Sequence, residues 1–174
     1  MQNDHDYMQI ALRLARQAAA RGEVPVGAVA VDEHGCVIAR AANQVEMLKD
    51  GTAHAEMIAL TQAAAAVGDW RLTAVTLYAT KEPCPMCAGA MVNCRLGRLV
   101  FGCPDPRGGA AGGGLNLLDF PGLLHRVEAV GGVGAEESRQ LLQNFFQNRR
   151  RSAPAAECKI EDMDAPWPEN LSMN

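Results

Sequence analysis

The sequence predicts an α/β fold, with helices on both faces of a five-stranded mixed sheet, a three-layer α/β/α sandwich. Three observations carry this. Helical and strand patterns alternate along the chain. The strand segments are short and nearly wholly apolar, as strands covered on both faces are. The chain of 174 residues is 48% hydrophobic and 21% charged, the composition and size of about one domain with a self-sufficient core.

The elements follow in order. Residues 5–21 place Met8, Leu12 and Ala15 on one side of an amphipathic helix, with Ile10 and Leu14 beside them, and Gly22 stops it. Residues 26–31 read as a buried strand and Asp32-Glu33-His34-Gly35 as the turn into a second strand, 36–39. Met57, Leu60, Ala64 and Val67 recur at helical spacing behind Thr52, the expected N-cap. Residues 74–79 read as a third strand, 85–95 as a third helix, 99–101 as a fourth strand and 126–130 as a fifth. Between the last two, residues 105–114 form a loop with glycine at 108, 109, 112, 113 and 114. It lacks the lysine and Ser/Thr of a phosphate-binding loop and reads as a flexible surface segment. The last helix, 136–151, carries Leu141, Leu142, Phe145 and Phe146, begins with acids and ends in Arg149-Arg150-Arg151. The domain is therefore residues 1–151, and 152–174 is a Pro-containing acidic tail without periodicity.

Charge and apolar runs exclude several classes. The formal net charge of −4 comes from the tail, which leaves residues 1–156 balanced. That is not the footprint of a strongly basic nucleic-acid binder, and a DNA partner is not expected. No apolar run approaches the ~18 residues of a membrane span, and the polar, acidic start has no secretory pattern. A soluble cytoplasmic protein with no membrane partner is the expectation.

Six cysteines in such a chain point to metal or catalysis more than to disulfides. Only Cys84 and Cys87 form a close pair, three apart at a helix start, so both sulfurs face one side. The positive end of that helix favours thiolates. His54 is a third soft donor, and no second cysteine pair completes a structural site. Three ligands with one open position is the pattern of a catalytic zinc. Glu56, two residues from His54, is placed to take a proton from water whose pKa such a metal lowers to about 7, and to hand it to a leaving group. Hydrolytic removal of ammonia from a ring is the chemistry this set suggests. The competing readings are a thiol redox pair or half a zinc knuckle for Cys84 and Cys87, a satisfied core histidine for His54, and a helix N-terminal acid for Glu56. All four in order, with Pro83 before the first cysteine, leave little room for coincidence.

The order His-x-Glu…Pro-Cys-x-x-Cys matches the signature of zinc nucleobase deaminases. Residues 5–151 resemble the bacterial tRNA-specific adenosine deaminase family of the cytidine deaminase superfamily. The resemblance rests on Glu23-Val24-Pro25-Val26-Gly27-Ala28-Val29, Thr52-Ala53-His54-Ala55-Glu56 and Glu82-Pro83-Cys84-Pro85-Met86-Cys87-Ala88-Gly89-Ala90-Met91. Arg98-Leu99-Val100-Phe101-Gly102, His125-Arg126-Val127-Glu128 and Phe145-Phe146 running into Arg149-Arg150 extend it. It implies a cytidine-deaminase-like sandwich, one Zn2+ per chain on His54, Cys84 and Cys87, and Glu56 as the catalytic proton shuttle. It further implies substrate contacts from Asn43, Val26, Ala55 and Asp105, a homodimer, and a tRNA anticodon stem-loop whose wobble adenosine becomes inosine. Deamination of a free base or nucleoside of guanine or cytosine type is the alternative within the same chemistry. The chain departs from the family at Pro104, at Lys81 where relatives carry an apolar residue, and in its glycine-rich loop. Arg95, Arg98, Arg107 and the Arg149-Arg150-Arg151 cluster are the candidate RNA contacts, although three arginines at a helix C-terminus also complement its dipole.

Overall fold

A computed structural model describes residues 3–152; the expected tail beyond residue 152 therefore lies outside the described residues. Ten elements follow one another: α1 (Asp4–Ala20), β1 (Gly27–Val31), β2 (Val37–Ala42), α2 (Val45–Leu48), α3 (Ala55–Val67), β3 (Thr76–Lys81), α4 (Pro85–Asn93), β4 (Arg98–Cys103), β5 (Glu128–Gly131) and α5 (Ala135–Ser152). The five strands form one mixed sheet in the order β2-β1-β3-β4-β5. β1 runs antiparallel to β2 and β3, whereas β3, β4 and β5 are parallel.

Strand alternation splits the core into two halves. Ala28, Ala30, Leu77, Ala79, Leu99 and Phe101 face α3 and α4, where Ala59, Ala63, Ala88, Met91 and Val92 meet them. Val29, Val31, Tyr78 and Val100 face the other way and pack against Tyr7, Met8, Ala11 and Leu12 of α1, with Leu141 of α5 alongside. Covered on both faces, β1 is buried at all five positions, as its near-continuous apolar sequence requires. Full burial of side chains such as Met8 and Leu12 stabilises the fold by about 1.5–3 kcal/mol each.

The start of α1 is fixed twice. Asn3 and Asp6 form a reciprocal capping box. Asp4 receives a bidentate pair of 2.8 Å hydrogen bonds from Arg98 and one of 2.9 Å from Tyr78 Oη. Its carboxyl is held below the ordinary value, first by the Arg98 hydrogen bonds. At Gly27 a Cβ would strike the α1 backbone, so glycine lets the helix lie close on the sheet.

Several boundaries differ from expectation: β3 is shifted to Thr76–Lys81, β4 extends to Arg98–Cys103, and β5 is shifted to Glu128–Gly131. Residue 26 precedes β1, and β2 runs on to Ala42. The N-cap of α3 is His54, not Thr52, which instead donates two hydrogen bonds to Asp50. The one-turn α2 has no local pattern to announce it; the Glu23 carboxylate, distant in sequence, accepts hydrogen bonds from the Glu46 and Met47 N–H groups at its start.

Candidate active site

The site forms where the carboxyl ends of β3 and β4, the amino end of β1 and the first turns of α3 and α4 meet. β1 lies antiparallel beside β3 while β4 lies parallel to it, so the strand direction changes here, and crevices of α/β sheets open at such points. His54 is the N-cap of α3 and Cys84 the N-cap of α4, with Cys87 in the first turn of α4. Neither N-cap side chain bonds its own helix, which leaves both free to face one another.

His54 Nδ1 lies 3.7 Å from Cys84 Sγ and 3.5 Å from Cys87 Sγ, and the two sulfurs are 3.6 Å apart. These are close to the edges of a tetrahedron with metal bonds of zinc length, about 3.5 Å for N···S and about 3.8 Å for S···S. Among the described residues, His54, Cys84 and Cys87 form the group whose donor atoms can converge on a metal ion. The Cys84 thiol is depressed to about 3, first by the hydrogen bond from Cys87 and then by His54. Cys87 shifts up, because it holds the proton shared with Cys84 and because it is buried. His54 is raised chiefly by its contact with Cys84. One thiolate is thus already favoured, and a bound dication would favour the second.

Glu56 projects from the first turn of α3 and is 3% exposed. Its Oε2 is one of two buried side-chain oxygens without a hydrogen-bond partner among the described residues; the other is Ser138 Oγ. Burial raises the Glu56 carboxyl, opposed by a backbone hydrogen bond and by His54. Burial thus makes this carboxylate a stronger proton acceptor than an exposed one.

Glu56, His54 and Cys84 line a cavity of about 260 Å3 together with Val26, Asn43 and Lys81. Two of the four expected substrate contacts, Val26 and Asn43, therefore face it. Asn43 Nδ2 donates to Glu23 Oε2 at 3.1 Å, which fixes the amide. Ala55 is fully buried in the core and does not line the cavity. Asp105 lies on the adjoining surface, where Lys81 Nζ approaches its Oδ2 at 2.5 Å and the Arg107 and Gly108 N–H groups bond its Oδ1. The first of these contacts is the main reason its carboxyl falls to about 2.

Two further acids escaped the sequence reading as functional residues. Glu23 holds Asn43 and the start of α2 from one wall of the cavity. Glu82, 1% exposed, accepts hydrogen bonds from the N–H groups of Asp105 (2.7 Å), Ala111 (3.0 Å) and Gly113 (2.8 Å). The glycine-rich loop is thus anchored on a buried carboxylate. A Cβ at Gly109 or Gly113 would overlap that carboxylate and the Asp105 carbonyl, so these two positions require glycine. A usable signal was present: an acid directly before Pro83-Cys84, and glycines clustered downstream.

Comparison with known proteins agrees with this geometry. The MafB19-like deaminase family matches residues 2–150. The tRNA-specific adenosine deaminase of Bacillus subtilis (strain 168) is 44% identical over 162 residues, covering 93% of this chain and 100% of the relative. A structure from biochemical and structural studies of A-to-I editing by tRNA:A34 deaminases at the wobble position of transfer RNA is 43% identical, with a TM-score of 0.75, over 78% of this chain and 98% of that one. A guanine deaminase from Nitrosomonas europaea shares the fold at 24% identity, with a TM-score of 0.72, over 83% of this chain and 85% of that one. The chain belongs to the tRNA-specific adenosine deaminase family, within the MafB19-like deaminases.

Proposed function

We propose that this chain converts the wobble adenosine of a tRNA anticodon stem-loop to inosine in the cytoplasm, by zinc-dependent hydrolysis. The observation that carries the reading is the buried, unpartnered Oε2 of Glu56 beside a His/Cys/Cys set with tetrahedral edges. His54 Nδ1 and the two thiolates would hold one zinc, which lends Lewis acidity and lowers the pKa of water at its open position.

The residues of the chain do the rest. A loop nucleotide is splayed out and its base enters the cavity against Val26, with Asn43 held by Glu23 as the polar contact. Glu56 takes a proton from the attacking water and returns it to the amino group at C6. The C–O bond forms, the C–N bond breaks, and ammonia leaves as inosine remains. Burial of Glu56 excludes bulk water from this transfer. The family reading includes a homodimer, which sedimentation of the purified protein checks.

The test is inosine formation in an anticodon stem-loop with a wobble adenosine, run with wild type and Glu56→Ala. Inosine from wild type alone is expected, and His54→Ala should lower bound zinc below one per chain. Turnover by Glu56→Ala sinks the shuttle. Ammonia release from free guanine or cytosine, with the stem-loop unchanged, replaces this reading by the small-substrate one.

A further inference from the structure

Beside the catalytic cavity lies a second, wider one of about 460 Å3, under the last helix. Its walls include Lys81, Arg107, Arg139 and Arg150, with Asp105 and the half-exposed ring of Phe146. Arg139 is paired with Glu136 on its own helix and Lys81 with Asp105, so the cavity keeps an excess of cations. Lys81 is the residue common to both linings. Its side chain is 27% exposed, and its ammonium is pinned at the boundary by Asp105. A lysine ammonium has three N–H donors. One is directed at Asp105, and the other two have no partner among the described residues. Asp105 accepts three hydrogen bonds, with Oδ1 on two backbone N–H groups and Oδ2 on Lys81, and is held rigidly by them.

A polynucleotide whose one base fills the catalytic cavity must pass its backbone over that boundary. The group that joins adjacent nucleotides is a singly charged phosphodiester, and the group pinned where the two cavities join is a cation with two unused donors. We propose that Lys81 is a specificity-determining residue that binds the phosphodiester flanking the target adenosine, held in place by Asp105, with the arginine-lined cavity taking the continuing backbone. The inference rests on the deaminase reading above and deepens it, because a free base carries no such phosphate.

The test uses stem-loops in which a neutral methylphosphonate replaces the phosphodiester on one or the other side of the wobble adenosine. With wild type, one of the two should raise KM about tenfold and leave kcat near its normal value, the size expected for a charge-assisted hydrogen bond. With Lys81→Met the natural and neutral linkages should give the same KM, and the dependence of log kcat/KM on log salt should flatten by about 0.7, one phosphate contact on a single strand. Lys81→Arg should restore discrimination, and an unchanged melting temperature separates contact from folding. Lys81→Met that still discriminates between the linkages overturns the inference, as does wild type that ignores both replacements. Absence of inosine with zinc-loaded wild type overturns the deaminase reading and this inference with it.

Discussion

Glu56 and Glu82 line the same cavity, are both almost wholly buried, and differ sharply in their hydrogen-bond partners. Glu82 accepts three backbone N–H groups from one loop. Glu56 keeps an oxygen with no partner beside a thiol pair. Satisfying a buried carboxylate with hydrogen bonds fixes what surrounds it, whereas burying one with an oxygen left unpartnered raises its proton affinity, as at Glu56. Glu23, holding Asn43 and α2, belongs with Glu82. Residue type alone therefore does not separate the acid proposed to move protons from the acids that build walls. The donors around each one do.

The largest effect that tests this contrast is on turnover. Glu56→Gln should cost about 10²–10⁴ in kcat, the range of a lost general acid–base group. Its melting temperature should stay level or rise, because no hydrogen bond seen at Oε2 is lost. Glu82→Gln should do the reverse. Its new NH2 group, if it takes the place of Oε2, faces the Asp105 N–H, donor against donor, at a cost of about 2 kcal/mol in stability. Activity should then fall through KM more than kcat, since the loop carrying Asp105 loosens. Amide exchange at Asp105, Ala111 and Gly113 reads this directly, and a Glu82→Gln protein with unchanged exchange there would erase the distinction.

A smaller effect sharpens the same point. Gly113→Ala forces a Cβ onto the Glu82 carboxylate and should destabilise by about 1–3 kcal/mol, as overpacking does. Because part of the strain is against the Glu82 side chain and the rest against the Asp105 carbonyl, adding Glu82→Ala should relieve the first part and make the pair less unstable than the sum of the two single variants. Strict additivity in denaturant unfolding would mean that the glycine serves the backbone and not the acid.

The contrast also separates what the sequence discloses from what it withholds. The α/β class, the sheet and the meeting of His54, Glu56, Cys84 and Cys87 were legible because they follow from periodicity and from two side-chain motifs whose donor types reveal a shared site, although 30 residues separate His54 from Cys84. The role of Glu82 was not. Its partners lie 23 to 31 residues downstream, and they are backbone N–H groups, which no side-chain pattern encodes. The glycines read as flexibility for the same reason: a small residue signals room, and only the fold shows what fills it. The N-cap of α3 shifted from Thr52 to His54 because Asp50 captures the threonine. The helix α2 stayed hidden because its first N–H groups bond an acid from another segment. Lys81 stood out as a departure, but its position between two cavities belongs to the fold alone.

The smallest effect is set by pH. Asp105 sits near Glu82 in the same loop network, yet it is partly exposed, so its carboxylate contributes less and remains titratable. Its folded pKa of about 2, below the model-peptide value of 3.8, follows mainly from the Lys81 contact. For a depressed acid, the stabilisation is present above the unfolded value and is lost as pH falls through the folded one. The stability difference between wild type and Asp105→Asn should therefore be full above about pH 4 and shrink steadily as the pH falls toward about 2. Chemical denaturation of both proteins across that window measures it. Repeating the series in Lys81→Met should leave a much smaller difference at every pH, because the cation that lowers the pKa is gone. A difference that stays constant with pH would mean that Asp105 contributes through packing and not through its charge, because both the Lys81 contact and the Arg107 and Gly108 N–H bonds favour the ionised form.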